Sequence, residues 1–205
     1  MINSKYYDDL KDINIYISPE SIVSSTAKIL FNSVILGKSE IKDGAVIGPN
    51  SIIIDSVIKS GAEILNSMII DSVIGENTTV GPYAHIRDFV NIGTNCRIGN
   101  FVEVKKSKID DRTKASHLAY IGDSDVGKDC NFGCGSITVN YDGVNKHKTT
   151  IGDNAFIGCN TNLVAPVTIH SNSFIACGST ITSDVPENTL AIARSRQLNK
   201  IDYLK

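Results

Sequence analysis

Arg87 and Lys105 are eighteen residues apart, and each directly follows an aliphatic residue, Ile86 and Val104. If the chain repeats every eighteen residues, these two cations stand one above the other at roughly 5 Å. Like charges at that spacing repel unless water or a shared anion intervenes. Two readings are open: a surface pair splayed into solvent, or a phosphate clamp in which Arg offers a planar fork and Lys a point charge.

Four histidines are present, His85, His117, His147 and His170. Most isolated histidines are ordinary surface or packing residues. His117 differs in its setting, KASHLAYIGD (114–123), within one repeat of the cation pair. A neutral imidazole there is suited to taking a proton from an attacking amine at neutral pH. The spacing also excludes a histidine-bound zinc enzyme of the β-helical carbonic anhydrase kind, which needs two zinc-binding histidines close in sequence. Cys134, Cys159 and Cys177 form a third set. The last two are eighteen apart, and the 25-residue step from Cys134 to Cys159 is eighteen plus the seven that a protruding loop would add. They are expected as a ladder of thiols along one edge, small residues where space is short. No other ligand type joins them, so no metal is expected.

The elements that position these residues follow from a repeat of six. Ile74, Val80, Ile86, Ile92, Ile98 and Val104 keep that step, and Gly75, Gly81, Gly93 and Gly99 follow four of them. Small or β-branched residues recur four places on, at Thr78, Ala84, Val90, Cys96 and Val102. The frame resumes as Ile151, Ile157, Leu163, Ile169, Ile175 and Ile181, with single-residue slips near Ile58, Ile69 and Ile109. A period of six fits neither an amphipathic helix nor a hairpin meander. It fits short strands joined by sharp corners, three to a coil, with the aliphatic residue inward. The expected fold is all-β, a parallel β-helix of hexapeptide repeats. Its expected parts are a lead-in or cap over 1–28, the repeat domain over 29–185 with a loop at 140–150, and a C-terminal arm over 186–205, partly helical.

Composition agrees. The 205 residues include no Trp and only 6% aromatics, which suits a narrow β-structure. A net charge of −2 and a pI near 6.1 supply no basic stripe for nucleic acid. No apolar run reaches the roughly 20 residues of a membrane span, and the N-terminus does not read as a signal peptide. Five cysteines without short paired spacings make no disulfide framework, so a reduced, cytoplasmic protein is expected.

The stretches GPYAHIRD (81–88), IGNFVEVKKSKI (98–109), KASHLAYIGD (114–123), NFGCGSITVNYDGVNKHKTTIGD (131–153) and NLVAPVTI (162–169), with LAIAR ending at Arg194, carry a family resemblance. They resemble the C-terminal domain of the bacterial bifunctional glucosamine-1-phosphate N-acetyltransferase/UDP-N-acetylglucosamine pyrophosphorylases. The resemblance is dense over 75–195 and weaker before. It implies the left-handed form of the helix and a homotrimer with acetyl-CoA lying along the coils between subunits. It also implies that His117 is the base deprotonating the sugar amine, and that Arg87 and Lys105 hold the sugar phosphate. Tyr120, Asn131 and Lys146 match further sugar-site positions. Asn140 and Tyr141 match acetyl-CoA loop positions, and Arg194 matches an arm residue near the coenzyme. Cys134, Cys159 and Cys177 stand where the family has Ala or Ser lining the coenzyme groove.

The implied reaction is direct acetyl transfer to glucosamine 1-phosphate, with no metal needed. An N-acyltransferase acting on another or a nucleotide-linked amino sugar, and a non-catalytic trimeric module binding a nucleotide sugar, are the alternatives. No Gly-rich nucleotide loop precedes the repeat. Uridylyl transfer is therefore not expected of these residues alone, and a separate uridylyltransferase is an implied partner.

Overall fold

The computed structural model describes residues 14–201 and shows a parallel β-solenoid with three faces per coil. No helix occurs among the described residues. One face begins with Tyr16–Ile17 and climbs through Val34–Leu36, Ile52–Ile54, Met68–Ile70 and His85–Arg87 to Thr180–Ile181. The second begins at Ile22–Val23 and the third at Lys28–Ile29, and strands of successive coils pair in parallel on each face. Two nine-residue strands, Arg97–Lys105 and Lys114–Gly122, run unbroken round the corner between the third face and the first.

The hexad aliphatics fill the interior. Ile35, Ile41, Ile47, Ile53, Ile58, Ile64, Ile69, Ile74, Ile86, Ile92 and Ile98 are all essentially inaccessible, stacked in one continuous core. At about 1.5–3 kcal/mol for each fully buried aliphatic, this column is the main favourable term. The recurring small residue does more than fit. Ser56 N–H donates to Ser39 Oγ (3.2 Å), Ser72 N–H to Ser56 Oγ (3.0 Å) and Val90 N–H to Ser72 Oγ (3.2 Å). On the third-face corner, the Cys96 and Cys130 amides donate to Thr78 and Thr113 hydroxyls. A buried hydroxyl thus takes up a corner N–H that no strand ladder reaches. Cys96 and Cys130 themselves are core residues, and burial pushes the Cys130 thiol up to about 11.

The slips near Ile58, Ile69 and Ile109 are five-residue repeats. Each five-residue step has one residue in the left-handed region: Asp55 before Ile58, Asn66 and Asp71 on either side of Ile69, and Lys106 before Ile109, while Asp123 marks another between Ile121 and Val126. The shortened corner keeps the aliphatic in place while removing one residue. Register then advances by 16 or 17 residues instead of 18, as in Ile53↔Ile69 and Ile98↔Ala115.

Three boundaries differ from expectation. The expected 1–28 lead-in already contains coil strands, because Ile17, Val23 and Ile29 keep the six-residue step into Ile35. Residues 1–13 lie outside the described residues. In the C-terminal arm, Leu190–Ala191 pairs with Phe174–Ile175 and Val185 bridges Ile169. The chain therefore extends the solenoid there and forms no helix in the described part. Residues 202–205 lie outside the described residues. The loop is also shorter than 140–150, since Thr149–Ile151 is a strand and Asn140 is buried.

Coil stacking sets the glycine requirement. A Cβ on Gly75 would lie 2.2 Å from the Gly93 carbonyl oxygen, whereas one on Gly44, at φ +66°, would meet nothing within 4 Å. Gly75→Ala is expected to cost at least about 3 kcal/mol, the upper end for overpacking. Gly44→Ala should cost about 1 kcal/mol, for its conformation alone. Urea denaturation of both variants checks the order, and equal losses would contradict a stacking limit at Gly75.

Candidate active site

Strand register brings Arg87 and Lys105 together as expected: they are Cα partners at the outer end of the first face. They do not face each other as bare cations. Arg87 donates to Glu103 Oε1 through Nε (2.9 Å) and Nη2 (2.7 Å), and to Asp88 Oδ2 through Nη1 (2.9 Å). The Glu103 hydrogen bond and the charges of Glu103 and Asp88 outweigh burial and raise the guanidinium pKa further. Lys105 Nζ lies 3.1 Å from Asp123 Oδ2, with both side chains largely buried, and Lys106 Nζ lies 3.8 Å from Asp123 Oδ1. Three cations thus meet three carboxylates. The repulsion expected from stacking is relieved by internal counterions, which sequence spacing did not anticipate.

Asp123 also ties in the loop. Asn140 Nδ2 donates to Asp123 Oδ2 (2.5 Å) and lies 3.3 Å from the Tyr120 hydroxyl. Tyr120 is the register partner of Glu103, so Arg87, Glu103, Lys105, Tyr120, Asp123 and Asn140 form one polar cluster on the first face. The loop beyond is held by its own contacts. Tyr141 bridges Lys146, whose Nζ sits 4.4 Å over the Tyr141 ring. Asp142 Oδ2 lies 2.6 Å from His147 Nε2. The Asn145 amide, the His147 side chain and the Val144 amide together hold the Asp142 carboxyl well below the usual range.

His117 occupies the opposite corner. It is exposed, in the strand Lys114–Gly122, and its Nδ1 lies 2.6 Å from Oδ1 of Asn100, its register partner one coil below. The same column continues upward. Pairing of Lys114 with Asn131 and of Tyr120 with Ile137 puts Cys134 over His117. Pairing of Asn131 with Phe156, and of Phe156 with Phe174, puts Cys159 and Cys177 above that. All three thiols are exposed. Arg194 Cδ comes 4.0 Å from where a Cβ on Gly178, the neighbour of Cys177, would sit. Asn131 begins its strand on the third face, three residues before Cys134.

The structure therefore divides the expected site. Cys134, Cys159, Cys177 and Arg194 share the His117 corner. Asn140 and Tyr141, expected beside the same coenzyme, follow Ile137–Val139 at the far end of the first face with the loop and Lys146. The cleft of about 470 Å³ beneath the loop is walled by Lys106, Lys108, Asp123, Asp125, Lys146 and Lys148, and His117 is not among its walls. Glu103 and Tyr120 lie between the two halves. Among the described residues, no three His, Cys, Asp or Glu side chains converge in a metal-holding geometry.

This repeat, with its strands stacked in parallel, defines a hexapeptide-repeat β-solenoid. Residues 71–106 and 148–183 match the family described as "Bacterial transferase hexapeptide (six repeats)". Among solved structures, the UDP-N-acetylglucosamine acyltransferase of Francisella novicida aligns over 86% of this chain and 66% of its own, at 22% identity and a TM-score of 0.56. The corresponding acyltransferase of Bacteroides fragilis aligns over 85% and 70%, at 20% identity and a TM-score of 0.52. These two likenesses concern the fold. Within that fold, the chain is similar over most of its length to the bifunctional protein GlmU. It is 60% identical to GlmU of Acholeplasma laidlawii over 174 residues, 85% of this chain and 38% of that protein. With GlmU of Clostridium acetobutylicum the identity is 53% over 203 residues, 97% of this chain and 44% of that protein. The chain thus spans about two fifths of the length of these curated relatives.

The Lys105–Asp123–Asn140 contact generates a stability prediction. Asp123→Ala leaves a largely buried ammonium and a buried amide without their acceptor, at a cost of about 1–3 kcal/mol. Urea denaturation should show that loss, and hydrogen exchange should show faster exchange at the Asn140–Lys148 amides. Replacing Lys105 with Met in the same chain should restore part of the stability. A single variant as stable as the parent would mean that Asp123 is not the counterion holding Lys105.

Proposed function

We propose that this chain transfers the acetyl group of acetyl-CoA to the 2-amino group of glucosamine 1-phosphate, giving N-acetylglucosamine 1-phosphate. The observation that carries the proposal is the single column in which His117 continues upward as Cys134, Cys159 and Cys177, ending beside Arg194. A pantetheine arm laid along such a column of small side chains brings its thioester down to the imidazole, and the Arg194 guanidinium suits the coenzyme's phosphates. Identity to GlmU proteins along most of the chain supports the choice of acetyl donor and amino-sugar acceptor.

In this reading Arg87 and Lys105 hold the sugar phosphate, Tyr120, Asn131 and Lys146 the sugar, and Asn140 and Tyr141 the coenzyme. The amine attacks the thioester carbonyl as His117 Nε2 takes its proton. The C–N bond forms, the C–S bond breaks, and the proton passes to the departing thiolate. No metal enters this step. A positioned base contributes on the order of 10²–10⁴-fold, and fixing amine and thioester together contributes through proximity.

The residues expected around one coenzyme fall on opposite ends of a face, and this supports a homotrimer in which the loop of one subunit completes the groove of the next. The cytoplasm is the proposed location. No helix among the described residues is long and apolar enough to cross a membrane.

A second reading has its own support. Arg87, Lys105 and Lys106 are already balanced by Asp88, Glu103 and Asp123, which favours phosphates of lower charge per group than a free monoester, such as the singly charged diester phosphates of a nucleotide-linked amino sugar. A non-catalytic binding module is the remaining alternative. Thiol release from acetyl-CoA with a panel of amino sugars separates all three.

His117→Ala is expected to lower kcat by about 10²–10⁴-fold while calorimetric binding of acetyl-CoA is kept. Arg87→Ala should raise the acceptor KM with a smaller change in kcat. Activity within a few-fold of the parent in the first variant, or an unchanged KM in the second, removes that residue from its role.

A thiol reagent should modify at least one of Cys134, Cys159 and Cys177 and block transfer, and saturating acetyl-CoA should slow both events together. Mass mapping after alkylation reads this directly. Replacing all three with Ala should preserve turnover, because the proposed thiols pack against the arm without reacting. Labelling indifferent to acetyl-CoA would place the coenzyme elsewhere.

A further inference from the structure

His117 is exposed to solvent, and an exposed imidazole samples several orientations and two neutral tautomers. One contact in the structure restricts both. Asn100 Oδ1 lies 2.6 Å from His117 Nδ1, and an amide oxygen can only accept a hydrogen bond. With the Asn100 amide oxygen facing the ring, this contact is a hydrogen bond only when Nδ1 carries the proton, which leaves the lone pair on Nε2. In water the free side chain favours the opposite tautomer.

The backbone holds this geometry. Asn100 and His117 are direct register partners in Arg97–Lys105 and Lys114–Gly122, the two strands that pass the corner unbroken. Each is followed by a bulky residue in the left-handed region, Phe101 at φ +57° and Leu118 at φ +36°. The chain turns just beyond both side chains, and neither strand can slide relative to the other without breaking seven register pairs.

We propose that Asn100 is a positioning residue for His117, fixing the tautomer in which Nε2 is the base and aiming it at the acceptor amine. The inference rests on the acetyl-transfer reading above. The neutral amide suits the task. A carboxylate in its place would also orient the ring, but it would favour the imidazolium and raise the pH at which the base becomes free. The charged or titratable groups on the packed strands are Arg97, Glu103 and Lys105 on the coil below, Lys114 and Tyr120 on the strand of His117 itself, and Cys134 above. Among the described residues, Asn100 is the side chain that meets the ring within hydrogen-bond distance.

The test combines imidazole ¹⁵N NMR with steady-state kinetics on the full chain. In the parent protein, His117 should show a protonated Nδ1 and an unprotonated Nε2. Asn100→Ala should shift the ring toward a mixture of tautomers and lower kcat by about 10–100-fold, the scale on which loss of an orienting partner acts. The KM values for acetyl-CoA and acceptor should stay within about threefold. Asn100→Asp should keep the Nδ1–H tautomer, recover part of kcat, and move the acid limb of the pH–rate profile upward by roughly one unit. An unchanged tautomer in Asn100→Ala, or an unchanged kcat, overturns the proposal. Equal kcat losses in the Ala and Asp variants with no shift of the acid limb also overturn it, because they indicate a purely structural role. Failure of the parent protein to transfer acetyl groups would defeat the functional reading instead, and the NMR arm would still decide the tautomer.

Discussion

A single coil of this molecule has no core of its own. It turns only a few aliphatic side chains inward, and they are shielded only when the coils above and below close over them. Parallel register between coils is therefore the constraint from which the rest follows. It sets the need for hydroxyls such as Ser56 and Thr78, which take up corner amides, and for glycine at Gly75, where neighbouring backbones nearly touch. It also makes the surface a lattice, so that a side chain's neighbours are the residues one coil away.

That lattice builds the candidate site. Along the corner between the third face and the first, Asn100, His117, Cys134, Cys159 and Cys177 form one line, and no loop has to fold over to assemble it. At the far end of the same face, the lattice crowds Arg87, Lys105 and Lys106 together, and Glu103, Asp88 and Asp123 offset them. The cations are then held extended and low in repulsion, poised for an anion that can compete with a carboxylate. The 140s loop leaves the lattice, and Asn140 joins it to this cluster through Asp123.

Most of the fold was legible in the sequence because the period of six is nearly strict and its inward residue is nearly always aliphatic. The start was missed although Ile17 and Val23 keep the frame. These end strands are exposed, so their other positions carry ordinary polar residues. The site was legible wherever register equals eighteen, as for Arg87 with Lys105 and Cys159 with Cys177. It was obscured where five-residue repeats shorten the coil. Asn100 is seventeen from His117, so a step of eighteen points to Gly99 instead. His117 is likewise seventeen below Cys134, which hid the continuity of the thiol column with the proposed base. The shortening is recorded in the chain by left-handed residues such as Lys106 and Asp123, a signal that aliphatic spacing alone does not carry.

The corner beside His117 has one further peculiarity. Every coil passes it with a residue at positive φ, and most use what that conformation favours: Asn32, Asn50, Asn66, Gly135, Asn160 and Gly178. Three consecutive coils instead place Tyr83, Phe101 and Leu118 there, residues for which it costs on the order of 1–3 kcal/mol each. Stacking of the Tyr83 and Phe101 rings at 5.5 Å returns little of this, since all three side chains remain more than half exposed. The solenoid has no need of them, because Asn turns the same corner in the coils below. They flank Asn100 and His117. In the proposed homotrimer, a neighbouring subunit seated on this ridge would bury the apolar surface, offset the strain and exclude water from the imidazole. That is the arrangement a groove shared between copies requires.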